Sequence, residues 1–166
     1  KECDLNTILK EVQTELELVI EETNTTIISK KLPVLEAIPS QMKQLFNNLI
    51  SNAIKFRKPQ LRPMIKIDCE KLSITDKDDY GLTSSSDFYK ITIEDNGIGF
   101  EEEYVTKIFQ IFQRLHGKAE YSGAGIGLAI CKKIADNHHG LIFADSTAGN
   151  GATFTIILPE KNIYIL

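Results

Sequence analysis

The sequence predicts an α+β fold in which a mixed sheet is covered on one face by helices. Apolar residues recur at helical spacing in three separate stretches, and paired runs of two-residue alternation lie between and after them. Proline, glycine and serine clusters punctuate the joins. At 166 residues, 42% of them apolar, the chain is expected to form one domain, 1–166, that buries a core without disulfides or a structural metal.

Each element has its own justification. Leu5, Ile8, Leu9, Val12, Leu16, Val19 and Ile20 repeat at helical spacing behind Asp4, a helix-capping type, so 5–22 reads as one amphipathic helix with an acidic outer face. "TTIISK" and "PVLEAI" read as short strands, and Ser40 is placed to open a second helix running to about Phe56. Pro59 and Pro63 forbid its continuation. "MIKIDCE", 64–70, sets Ile65, Ile67 and Cys69 on one face, and "FYKITIED", 88–95, does the same for Tyr89, Ile91 and Ile93. These read as adjacent strands joined by the polar "KLSITDKDDYGLTSSSD", expected to be a mobile hairpin extension. Beyond Phe100 lies a stretch of mixed character to Ser122. A helix from about Gly125 to His138 follows, then the strands "LIFADS" and "ATFTIILP" joined by the turn "TAGNG".

Composition narrows the partners. A net charge of -4, with Arg57, Arg62 and Arg114 as the only arginines, argues against a phosphate-tracking nucleic-acid surface. No apolar run approaches membrane-spanning length and no secretion signal opens the chain, so direct membrane contact is not expected. Cys3, Cys69 and Cys131 are widely spaced and form no zinc pattern with His116, His138 and His139, which suits a reducing, cytoplasmic setting with buried thiols and structural histidines.

Three constellations carry the chemistry. On the second helix Gln41, Gln44, Asn48, Asn52 and Lys55 fall within a fan of roughly 80°, beside the apolar stripe Met42, Leu45, Leu49 and Ala53. Such a fan can be a solvated face. Yet solvated faces favour charged residues, and two asparagines one turn apart in mid-helix are costly unless they bind something. Amide carbonyls ligate hard cations and a lysine meets anionic oxygens, a combination suited to a magnesium-phosphate group.

In "EDNGIGF", 94–100, continued alternation points Asp95 to the apolar side, where an unpartnered carboxylate is expensive and a ligand amino group would satisfy it. Gly97 and Gly99 let backbone approach a flat ligand. The competing reading is a type I′ turn at Asn96-Gly97 with a solvated aspartate. In "YSGAGIGLAI", 121–130, Gly123, Gly125 and Gly127 match neither a dinucleotide fingerprint nor a P-loop. They form a glycine-rich helix start whose free amides and dipole can hold phosphate oxygens. Glycines serving only helix packing would recur every three or four residues.

Taken together, "NNLISNAIKF", "DNGIGF", "IFQIFQRLHGKAEYSGAGIGLAI" and "GATFTIILP" resemble the ATP-binding catalytic domain of bacterial sensor histidine kinases, in the GHKL ATPase superfamily. The resemblance covers about 4–159. It implies a two-layer α/β sandwich: a mostly antiparallel sheet of about five strands under about three helices, with 4–22 as a leading helix and a mobile ATP lid over 100–122. It also implies ATP and Mg2+ as ligands. Asn52 resembles the magnesium ligand, with Asn48 and Lys55 facing the triphosphate. Asp95 resembles the acceptor of the adenine amino group, flanked by Gly97 and Gly99. Gly123, Gly125 and Gly127, followed by Leu128, match the lid hinge and phosphate-facing helix start. Phe109 and Phe112 resemble the aromatics that pin the lid, Arg114 could reach the phosphates on closure, and Thr153 resembles a threonine near adenine.

No acceptor histidine with an acidic neighbour precedes Asp4, so the resemblance implies a catalytic domain without its dimerisation and phosphoacceptor domain. It would be monomeric, incompetent for autophosphorylation alone, and reliant on a helical hairpin of the same protein and a downstream response regulator. The rivals are a GHKL-type ATPase, an anti-sigma-like serine kinase, and a catalytically silent nucleotide-binding module. The ATPase relatives carry a glutamate where Asn48 stands, and an amide cannot take a proton from water.

Overall fold

The computed structural model describes residues 1–82, 86–100, 103, 122–146 and 148–161, with the backbone alone at 122–126. In chain order these form β1 (Glu2–Asp4), α1 (Leu5–Glu15), α2 (Glu17–Thr23), β2 (Thr26–Ser29), β3 (Val34–Glu36), α3 (Pro39–Lys55), β4 (Met64–Lys71), α4 (Ile74–Asp79), β5 (Phe88–Asp95), α5 (Ser122–Asn137), β6 (Leu141–Ser146) and β7 (Ala152–Pro159). The main sheet has the order β2-β4-β5-β7-β6; β2 runs parallel to β4 and the remaining pairs are antiparallel. This is the α+β sandwich the sequence predicts. Alternation places Ile65, Ile67, Ile91, Ile93, Phe154 and Ile156 in one core with Leu5, Leu9, Met42, Leu45, Leu49 and Ile134 of the covering helices.

Several elements differ from expectation. The leading helix breaks at Leu16 (φ -95°, ψ 9°): Leu5, Ile8, Leu9 and Val12 seat α1 in the core, whereas Val19 and Ile20 of α2 pack against it only partly buried. β3 does not join the main sheet but pairs with β1, whose residues lie thirty or more positions away in the chain. Ser40 does not cap α3: the helix starts on Pro39, whose missing N–H and fixed φ suit the first turn. The segment between β4 and β5 is no loose extension over its described part. Ser73 caps α4 by accepting the Asp76 N–H at 3.1 Å, and Tyr80 and Leu82 pack with Leu72, Phe88 and Ile157 on the face away from the large helices. Tyr80 also stacks on Phe143 with ring centroids 5.7 Å apart. Part of the second face is therefore covered, which buries Thr155 and Ile157 of β7.

α3 and α5 pack antiparallel and are bonded along their length. Asn137 Nδ2 donates to Gln41 Oε1 at 3.2 Å, and at the other end Asn48 Nδ2 reaches the Gly127 carbonyl at 3.4 Å. His138, 5% exposed, accepts the Ile38 N–H on Nε2 at 3.1 Å and sets Nδ1 2.8 Å from the Ile134 carbonyl. A neutral ring protonated on Nδ1 satisfies both contacts. His138→Ala strands the Ile38 N–H at the start of α3 and is expected to cost about 1–3 kcal/mol of unfolding free energy in urea titration. A cost below about 0.5 kcal/mol would show that this buried bond does not hold the helix pair.

Candidate functional site

Asp95 ends β5 in a cross-strand row with Ile65, Ala152 and Ser146 on the helix-covered face. Its Oδ1 accepts the N–H of Gly97 at 2.8 Å and of Ala152 at 3.3 Å. Among the described residues no lysine or arginine pairs with it. Burial pushes its pKa up, opposed by the Gly97 and Ala152 amides and assisted by the charge of Glu94. The carboxylate therefore has acceptor capacity left and no countercharge among the described residues. A ligand amino group suits it.

The chain leaves Asp95 by a turn built on the end of α3. Phe56 O accepts the Ile98 N–H at 2.9 Å, and a Cβ at Gly97 would lie 2.5 Å from that same oxygen. Gly97 thus allows a backbone contact that a side chain would block, and Gly99 takes φ +71°. Phe100 meets Phe56 edge-on at 5.1 Å, and Lys55 Nζ lies 5.7 Å from the centre of the Phe56 ring. No type I′ turn forms at Asn96-Gly97: Asn96 lacks the positive φ that turn needs. Its side chain instead accepts from Met64 N at 2.9 Å and donates to Arg62 O at 3.0 Å.

One turn before Phe56, Asn52 is 8% exposed and its buried Nδ2 has no hydrogen-bond partner among the described residues. Buried amides are rarely left so. A half-turn about the last side-chain bond exchanges its oxygen and nitrogen, so this position can offer an oxygen to a hard cation or a donor to an anionic oxygen. The amide therefore fits a magnesium-phosphate group. Gln41 and Asn48 of the same fan contact α5 instead of standing free, while Lys55 is exposed. Cys131 is fully buried, with burial pushing its thiol up to about 12, and it serves as a small core residue.

Gly123, Gly125 and Gly127 lie inside the opening turns of α5, which starts three residues earlier than predicted. A Cβ at Gly127 would meet Asn48 at an ordinary 3.7 Å, so helix packing alone does not demand glycine there. Leu128, grouped with them, buries its side chain wholly in the core, which leaves only its backbone available to a ligand. Thr153 lines the same cavity as Asp95, with Asn96, Asp145, Ser146 and Asn150. Strand alternation turns it to the opposite face, in a row with Lys66, Glu94 and Asp145, and the Ala152 amide reaches Asp95 instead. Phe109, Phe112, Arg114 and His116 lie outside the described residues, as does nearly all of the proposed lid. Phe56, Ala152 and Ser146 join the site without having been singled out in the sequence. Phe56 at the end of "NAIKF" offered an aromatic, and its ring does meet Phe100, but its bond to the turn after Asp95 runs through its backbone carbonyl.

Residues 37–162 match the family described as histidine kinase-, DNA gyrase B- and HSP90-like ATPases. The chain belongs to this family. Similar proteins include cyanobacterial phytochrome A of Nostoc sp., 44% identical over 84% of the chain, and phytochrome-like protein Cph1 of Synechocystis sp., 36% identical over 96%. Sensor protein kinase WalK of Staphylococcus aureus is 32% identical over 94% of the chain. The chain spans only 16% and 19% of the two phytochromes and 35% of WalK. The catalytic domain of histidine kinase ThkA, nucleotide-free, superposes with a TM-score of 0.73 at 26% identity, covering 98% of this chain and 96% of that one. This GHKL domain thus has its relatives among sensor histidine kinases. No helix among the described residues is long and apolar enough to cross a membrane.

The raised Asp95 pKa has a stability consequence. The folded chain holds the Asp95 proton more tightly than the unfolded chain, so this contribution is full below the ordinary value of 3.8 and is lost as pH rises through the folded pKa. Asp95→Asn removes the charge and keeps an oxygen for the two amides. Above the folded pKa it is expected to exceed the parent in stability by about 0.5–2 kcal/mol, a gap that closes towards acid pH. Urea titrations across pH check this; a gap independent of pH would mean that the carboxylate is not strained by burial.

Proposed function

We propose that the chain binds Mg-ATP and, in the intact protein, places the γ-phosphoryl group for attack by a histidine on a separate dimerisation hairpin, from which a response regulator takes it. One observation carries this reading. A carboxylate and a buried amide that, among the described residues, have no countercharge and no partner respectively are linked through the last turn of α3, where Phe56 N donates to Asn52 O at 3.0 Å and Phe56 O supports the turn after Asp95.

In this reading Asp95 accepts the adenine amino group, and Gly97 and Gly99 leave backbone bare beside the base. Asn52 holds the metal, and Asn48 and Lys55 face the phosphates. The opening amides of α5 take phosphate oxygens with the help of the helix dipole. Magnesium, when bound, neutralises phosphate charge. These groups work by positioning and electrostatics, as phosphoryl transfer requires. His138 has both ring nitrogens engaged in the interior, which supports an acceptor elsewhere. Asn48 cannot act as a base towards water, so steady-state hydrolysis by the chain is expected to be negligible, in contrast to a gyrase-like or HSP90-like cycle.

Calorimetric titration with ATP, with and without magnesium, tests the reading. Asn52→Ala is expected to weaken magnesium-dependent ATP binding by about tenfold or more, equivalent to ~1.4 kcal/mol, while adenosine binds as before. Equal losses for both ligands would remove Asn52 from the metal. Absence of ATP binding by the parent chain at millimolar concentration would remove the function altogether.

A further inference from the structure

Ser146 closes β6 in the same row as Ala152 and Asp95, two strands from the carboxylate. Its hydroxyl oxygen accepts the Phe100 N–H at 2.6 Å and its proton goes to the Gly151 carbonyl at 2.8 Å. One atom thereby joins the segment leaving β5, the end of β6 and the start of β7. Both partners bear on Asp95. Gly151, at φ +75°, lies so close to the Asp95 carbonyl that a Cβ there would overlap it, and the next residue, Ala152, donates to the Asp95 carboxylate. Phe100 ends the turn that starts at Gly97, and its ring rests against Phe56 at the end of α3. A second bond, from Gly149 N to Ile98 O, runs between the same two segments.

We infer that Ser146 is a positioning residue for the nucleotide base. It acts through the backbone groups that it bonds. It fixes the Gly97–Phe100 turn against the β6–β7 hairpin, and so sets the distance between the Asp95 carboxylate and the wall beside it. A hydroxyl is needed because the position must accept from one backbone N–H and donate to one carbonyl at once. Alanine removes both bonds; threonine keeps them. The inference rests on the ATP-binding reading of the site.

The test is titration of the full chain and its Ser146→Ala and Ser146→Thr variants with adenosine and with Mg-ATP, alongside thermal unfolding. Ser146→Ala is expected to lose about 5- to 20-fold in affinity for adenosine and a similar factor for Mg-ATP, while Ser146→Thr stays within about threefold of the parent. A Ser146→Ala variant with a lowered unfolding midpoint but adenosine affinity within about twofold of the parent would overturn the inference, since the hydroxyl would then serve stability alone. A threonine variant as weak as alanine would overturn it too. Should the alanine variant not fold, threonine decides alone: affinity within about threefold supports the role and a larger loss refutes it. Failure of the parent to bind either ligand would sink the ATP-binding reading itself, a failure distinct from unaltered affinity in the variants.

Discussion

A carboxylate held at the end of an inward-facing strand, with backbone amides for company and no cation among the described residues, is the constraint around which the rest of this molecule is arranged. Asp95 occupies the position that Ile91 and Ile93 fill with apolar side chains four and two residues earlier. Burial raises its pKa, and the Gly97 and Ala152 amides offset that only in part. The fold therefore carries an electrostatic penalty at Asp95. Functional sites tolerate such penalties when a ligand relieves them.

Two supports keep that point in place. The end of α3 presses the Phe56 carbonyl against Gly97 and Ile98, so the helix bearing Asn52 and the turn after Asp95 share one backbone contact. Along its length α3 is tied to α5 by Gln41 and Asn48, and at its start Ile38 bonds to His138 just beyond the end of α5. A displacement of either helix would shift the other, and with it the amide of Asn52. The proposed base end and phosphate end of the site are thus coupled through one rigid element, α3.

Much of this was legible in the sequence because it is local. The alternation of "MIKIDCE" and "FYKITIED" fixed which side chains face the helices, and the same parity put Asp95 on the inner face. The stripe Met42, Leu45, Leu49 and Ala53 is buried as its spacing implies. What was missed depends on distant partners. β1 exists because it meets β3. α4 packs on Leu72, Phe88 and Ile157, a cluster drawn from segments far apart in the chain. Matching by residue type pointed to Thr153, whereas the bond to the Asp95 carboxylate comes from the amide of Ala152, about which the Ala152 side chain says nothing. Phe56 and Ser146 also act through bonds to backbone, which residue type alone does not reveal.

The most direct measurement is the affinity of the Asp95→Asn variant for adenosine beside that of the parent chain. An asparagine turned to keep its oxygen on the Gly97 and Ala152 amides presents a donor to the base's own donor. The expected loss is about 30- to 1000-fold, equivalent to roughly 2–4 kcal/mol. A folded variant that binds adenosine within about threefold of the parent would contradict the assignment of Asp95 to the base.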